Sequence, residues 1–115
     1  MKMTPQYYHS LKPFRNLFQS GVPVLTYHKL GPRPRGARIK GLWLGEELFA
    51  RQLAELRAAG FTGQSLDEMP PRDGESGRRI VITFDDGFVN VLTHALDPLA
   101  ANGFRAIQFL VADRI

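Results

Sequence analysis

The 115-residue chain contains no cysteine. Disulfides, thiolate–zinc centres, iron–sulfur clusters and a cysteine nucleophile are therefore all excluded. Histidine is scarce as well: His9, His28 and His94 are the whole supply. No apolar run approaches the ~18–20 residues that a membrane-crossing helix needs, so no membrane span is expected. The first twenty residues include Lys2, Lys12 and Arg15 but lack the apolar core of a secretory leader. A cleavable signal is not expected, and cytoplasmic placement is the default. Internal repeats and long low-complexity tracts are absent too.

Acids are missing from residues 1–45, which carry eight Lys or Arg. Residues 46–115 hold seven bases against eleven acids, a net −4 within an overall +4. A basic half can follow an anionic partner such as nucleic acid, a lipid surface or an acidic glycan. Its densest stretch, Pro32-Arg33-Pro34-Arg35-Gly36-Ala37-Arg38, has no aromatic residue between the charges. That is the pattern of a solvated loop, and no nucleic-acid partner is expected.

What is present is ordinary for a soluble domain, with 43% hydrophobic and 23% charged residues. A chain of this length can bury about two-thirds of its unfolded surface. Tyr7, Leu11, Phe14 and Phe18 are loosely helical in spacing, interrupted by Pro13, and read as a lead-in. Val22 to Tyr27 is a short β-type run followed by His28 and a Gly/Pro loop. Phe49, Leu53, Leu56 and Ala59 recur at helical spacing over Glu46–Ala59, with two carboxylates in the first turn and Gly60 as the stop. Phe61 resumes an extended segment to Leu66, and Pro70 to Gly77 reads as a loop. Ile80 to Phe84 is the unbroken β-branched run of a strand buried on both faces. Val91, Leu92, Ala95, Leu96 and Leu99 mark a second helix, with a kink or restart expected at Pro98 and an end at Asn102-Gly103. Phe104 to Val111 is a last strand. The order predicts an α/β fold with parallel strands.

Thr83-Phe84-Asp85-Asp86-Gly87 falls where the buried strand hands over to a loop and then a helix. Working residues of α/β folds gather at such strand ends. Adjacent carboxylates resist double ionisation, and a bound cation relieves the conflict. One carboxylate then serves as ligand while its neighbour acts as general base. Asp-Asp-Gly is equally ordinary turn chemistry, so the spacing alone leaves both readings open.

The motif T-F-D-D-G after an I-V-I strand resembles the first motif of the polysaccharide deacetylases, carbohydrate esterase family 4. Three further stretches are similar in order: V-P-V-L-T-Y-H, G-L-W-L-G-E-E-L-F-A-R-Q-L-A-E-L-R-A-A-G-F, and the run from Asp85 through Val111. The resemblance covers about Val22 to Ile115. It implies a metal-dependent hydrolase that removes acetyl groups, N- or O-linked, from a polysaccharide or oligosaccharide. The implied roles are general base for Asp85 and metal ligand for Asp86, zinc being the implied divalent metal, with Tyr27 and His28 as site-lining residues.

The departures are as informative. The family completes its metal site with an H-x-x-x-H pair, and no two of this chain's histidines have that spacing. A catalytic zinc takes ~3 protein ligands. His9 and His94 are not transferred to the site, and the family's later motifs are missing. The family fold is an irregular (β/α) barrel, and barrels of that kind use ~200–250 residues. The expectation is therefore a lead-in at 1–20 and a partial, truncated deacetylase domain at 21–115, inactive alone. The alternative is a non-catalytic carbohydrate- or partner-binding remnant of the same fold. A response-regulator receiver domain fails, because no Lys follows Asp86.

Overall fold

The computed structural model describes residues 10–18, 21–32, 35–36, 43–68, 78–87 and 89–114. It contains β1 (Val24–Tyr27), β2 (Lys29–Leu30), β3 (Trp43–Leu44), α1 (Glu46–Ala58), β4 (Phe61–Gly63), β5 (Arg78–Phe84), α2 (Val89–Asn102) and β6 (Ile107–Gln108). A 3₁₀ helix, Lys12–Phe18, precedes them. Among the described residues every strand pairing is parallel, as the sequence order predicts.

β5 is the axis of the sheet. Val24 to Tyr27 align with Val81 to Phe84 on one side. On the other side β4 lies along the beginning of β5 and β6 along its end: Gln64 N–H donates to the Ile80 carbonyl, and Phe109 N–H to the Phe84 carbonyl. In a parallel strand residues of equal parity bond to the same neighbour, which puts β4 and β6 on the same flank. Ile80 to Phe84 are all buried, and this accounts for their unbroken apolar character.

The helices pack by the stripes legible in their sequences. Phe49, Leu53 and Leu56 are the buried face of α1. Val91, Ala95 and Leu99 are the buried face of α2. Tyr27, Leu30, Phe61, Ile80, Ile82, Phe84 and Phe104 complete the cluster. Gly60 (φ 87°) and Gly103 (φ 72°) supply the left-handed turns that end the helices. At the second, Phe104 N–H donates to the Leu99 carbonyl and Gly103 N–H to that of Ala100. This is the paired bonding of a Schellman stop, with Phe104 folded back onto Leu99.

Several expectations are corrected. α2 runs through Pro98 without the expected restart. Pro98 gives up one hydrogen bond to the His94 carbonyl. Burying Val91, Ala95, Pro98 and Leu99 on one face outweighs that loss. The expected strands at 22–27, 61–66 and 104–111 shrink to four, three and two residues, because only those positions find ladder partners. The β2–β3 pair stands where a plain Gly/Pro loop was expected. Positions 70–77, read as a loop, lie outside the described residues, as do Tyr7 and His9.

Candidate active site

The site follows from where β5 stops. Asp85 N–H donates to the Tyr27 carbonyl at 3.0 Å, so Asp85 is still held by the β1 ladder. The chain then turns through Asp86 (φ 74°) and Gly87 (φ 72°) into α2. Two consecutive positive φ values are the signature of a type I′ turn, in which Asp is tolerated first and Gly preferred second. A Cβ on Gly87 would lie 2.8 Å from Leu110 Cδ2, so the exposed Leu110 side chain would have to shift to admit one. Asp85 is half-buried at the end of β5, and Asp86 is exposed on the turn.

His28 sits one residue beyond β1, level with Asp85. Its Nε2 is 3.5 Å from Asp85 Oδ2, with 32% and 39% of the two side chains exposed. One step back on the same face, Thr83 Oγ1 donates to Thr26 Oγ1 at 2.9 Å. Side chains alternate across a strand, so Thr26, His28, Thr83 and Asp85 form a polar row on one face of the β1–β5 pair. The threonine pair escaped the sequence reading. Its signal was the alternation of polar with apolar residues at the ends of both runs.

Tyr27, expected to line the site beside His28, turns the opposite way by that alternation. Its ring is buried, 5.5 Å from Phe84 in a stacked arrangement and 4.9 Å from Phe49 edge-on. Its hydroxyl donates to Gln52 Oε1 at 2.6 Å, and burial pushes its pKa well above the usual phenol value. Tyr27 therefore serves the strand end through its carbonyl, which anchors Asp85. His94, not transferred to the site on sequence, ties the two helices instead. Its Nδ1 is 3.0 Å from Glu46 Oε2, and its ring packs against Gly31, where a Cβ would meet it at 2.8 Å.

His28 and Asp85 come together, and Asp86 lies on the adjoining turn. Among the described residues no group of three or more His, Asp or Glu side chains is arranged to hold a metal ion. His28 faces Asp85, and an aspartate on the next turn residue leaves one exposed donor, Asp86. The donors present do not amount to a catalytic zinc site.

This parallel α/β unit matches part of the fold of solved polysaccharide deacetylases. No protein-family model and no curated protein matches the sequence. Solved structures do. The chain is similar to BC0361, a polysaccharide deacetylase from Bacillus cereus, at 26% identity and TM-score 0.71 over 84% of this chain and 31% of that one. IcaB from Ammonifex degensii matches at 28% identity and TM-score 0.68, over 83% and 40% of the two chains. The Streptococcus pyogenes deacetylase PplD, solved with acetate, shares the fold at 18% identity and TM-score 0.68, over 80% and 43%. The chain thus spans a third to two-fifths of the length of the structures it matches.

Proposed function

We propose that this chain carries the base-bearing part of a hydrolase site that removes acetyl groups from an acetylated polysaccharide or oligosaccharide. The observation that supports the reading is Asp85: a carboxylate fixed by a backbone bond to β1, half-buried, with His28 at 3.5 Å. A base held that way accepts a proton from an attacking water without first reorganising. Asp86 is the ligand this chain would offer to a divalent metal, with zinc the candidate from the motif. The other donors are not among the described residues, and no step is assigned to the metal here.

The shortage of donors also favours a second reading, a carbohydrate- or partner-binding unit that uses the same strand end without chemistry. Two measurements on the 115-residue chain separate them. Zn²⁺ titration is expected to give weak binding that Asp86→Asn removes. Acetate release from acetylated chito-oligosaccharide is expected to be absent with or without Zn²⁺. Zn²⁺ binding unchanged in Asp86→Asn would remove the ligand assignment and leave the binding reading. Acetate release that disappears in Asp85→Asn would establish the base and overturn the incompleteness of the site.

A further inference from the structure

β5 begins at Arg78, about 23 Å from Asp85 at ~3.3 Å per residue, and a cavity lies at that opposite end. Leu11 N–H donates to Glu55 Oε2 of α1 at 2.8 Å. The Phe18 ring meets Phe61 of β4 edge-on, with centroids 5.9 Å apart. Leu11 and Phe18 thereby pack the N-terminal 3₁₀ helix against the core. Between that helix, α1 and β4 there remains a volume of about 510 Å³. Leu11, Phe18, Leu56 and Phe61 give it an apolar lining, and Lys12, Glu55 and Arg78 give it charge.

Voids much larger than a water molecule are few in a folded domain. Small-molecule sites occupy about 300–1,000 Å³, with mostly apolar walls and a few polar groups that fix orientation. The charges decide which molecule fits. Glu55 is already engaged by the Leu11 N–H. Arg78 donates from Nη1 to the Ala59 carbonyl at 2.9 Å, and its guanidinium carbon lies 5.6 Å from the centre of the Phe61 ring. A guanidinium has five N–H donors, so Arg78 keeps others for a ligand. Lys12 is exposed, and its ammonium has no partner among the described residues. Two cations beside one engaged carboxylate favour an anion, and a planar carboxylate matches the arginine fork. Acetate or inorganic phosphate would meet the cations and leave the apolar lining uncovered. An acyl chain takes that lining out of water as well.

We propose that this cavity binds an amphipathic carboxylate, its acyl chain against Phe18 and Phe61 and its head group on Arg78 and Lys12. Such a ligand joins the N-terminal helix to α1. The site shares no residue with the Asp85 end of the sheet, so it stands apart from the deacetylase reading.

Calorimetric titration of the 115-residue chain with three probes, each below its micelle concentration, tests this. The probes are decanoate, decyltrimethylammonium with the same chain and opposite charge, and acetate as the head group alone. Decanoate is expected to bind once per chain and about tenfold more tightly than either of the others. Arg78→Gln is expected to weaken it about tenfold and Lys12→Gln about threefold. Arg78 also holds the Ala59 carbonyl, so urea denaturation checks that its variant folds. Should it fold poorly, Lys12→Gln and the comparison of probes carry the test. Asp85→Asn is expected to leave decanoate binding unchanged. Absence of saturable decanoate binding overturns the proposal. Equal binding of decyltrimethylammonium reveals an apolar cavity without charge selection, and equal binding of acetate a bare anion site; either overturns it. Decanoate binding that is indifferent to both Arg78→Gln and Lys12→Gln, or lost in Asp85→Asn, puts the ligand elsewhere and overturns it too.

Discussion

Gly87→Ala tests how the carboxylate pair is held. The residue has φ 72° and follows Asp86 at φ 74°. Alanine in the left-handed region costs ~1–2 kcal/mol because its Cβ crowds the following carbonyl. A second term comes from Leu110, whose Cδ2 would lie 2.8 Å from the new Cβ. Leu110 is 60% exposed, so its side chain can rotate into solvent, and this term is the smaller one. Gly103→Ala isolates the backbone term, since Gly103 has the same φ of 72° and nothing within 4 Å of a built Cβ. Both variants are expected to lose ~1–2 kcal/mol. In urea denaturation followed by circular dichroism, with a slope of about 2 kcal/mol/M, each midpoint falls by ~0.5–1 M at unchanged slope. Gly87→Asn should lose less, because Asn is at home in this region. A neutral Gly87→Ala would refute the turn geometry. A loss exceeding that of Gly103→Ala by ~1 kcal/mol or more would refute the freedom given to Leu110.

Two further outcomes follow from the core beneath the site. Tyr27→Phe keeps the ring between Phe49 and Phe84 but removes the 2.6 Å bond to Gln52, for a loss of ~1 kcal/mol in the same denaturation assay. Burial raises the Tyr27 pKa, so the protonated phenol's contribution is complete below the unfolded value of about 10 and is lost as pH climbs above it. The tyrosinate absorbance that develops below that pH should be the same with and without Tyr27. An earlier, Tyr27-dependent rise would contradict the buried placement. Ile82→Ala, at 1% exposure in the middle of β5, should cost ~2–5 kcal/mol, and a loss below ~1 kcal/mol would mean that β5 is not the packed centre of the sheet.

What the sequence made legible is what short-range chemistry decides. The buried run Ile80–Phe84, the stripe of α1 and the stops at Gly60 and Gly103 each follow from residues within one or two turns. The place of Asp85 and Asp86 at a strand end was legible for the same reason. The β2–β3 pair was not, because two-residue strands separated by residues 31–42 have no periodicity and exist only through their tertiary register. The His94–Glu46 contact and the imidazole packed on Gly31 bring together residues far apart in sequence. Pro98 misled for a related reason: its local preference is real, but a helix that buries a whole face can lose one hydrogen bond and continue. Tyr27 and His28 were read as a pair, and the strand's alternation sends them to opposite faces.

The end of β5 breaks several rules that the rest of the chain keeps. Five consecutive buried residues give way to two adjacent acids, and the second of these is the only described non-glycine residue with positive φ. Asn-Gly would make the same turn without charge repulsion, so turn formation alone does not call for Asp86. Nor does stability call for Asp85, since its nearest side-chain partner is a half-exposed histidine 3.5 Å away and exposed pairs contribute little. Departures from local consistency concentrated at one strand end support the proposal that this end is the site. The position of Asp85 is set by its backbone bond to Tyr27, and Tyr27 is fixed by Phe49, Phe84 and Gln52. The carboxylate therefore inherits the rigidity of the core, where a loop aspartate would have to be ordered anew on each encounter. Any use of this strand end, catalytic or binding, depends on that inheritance.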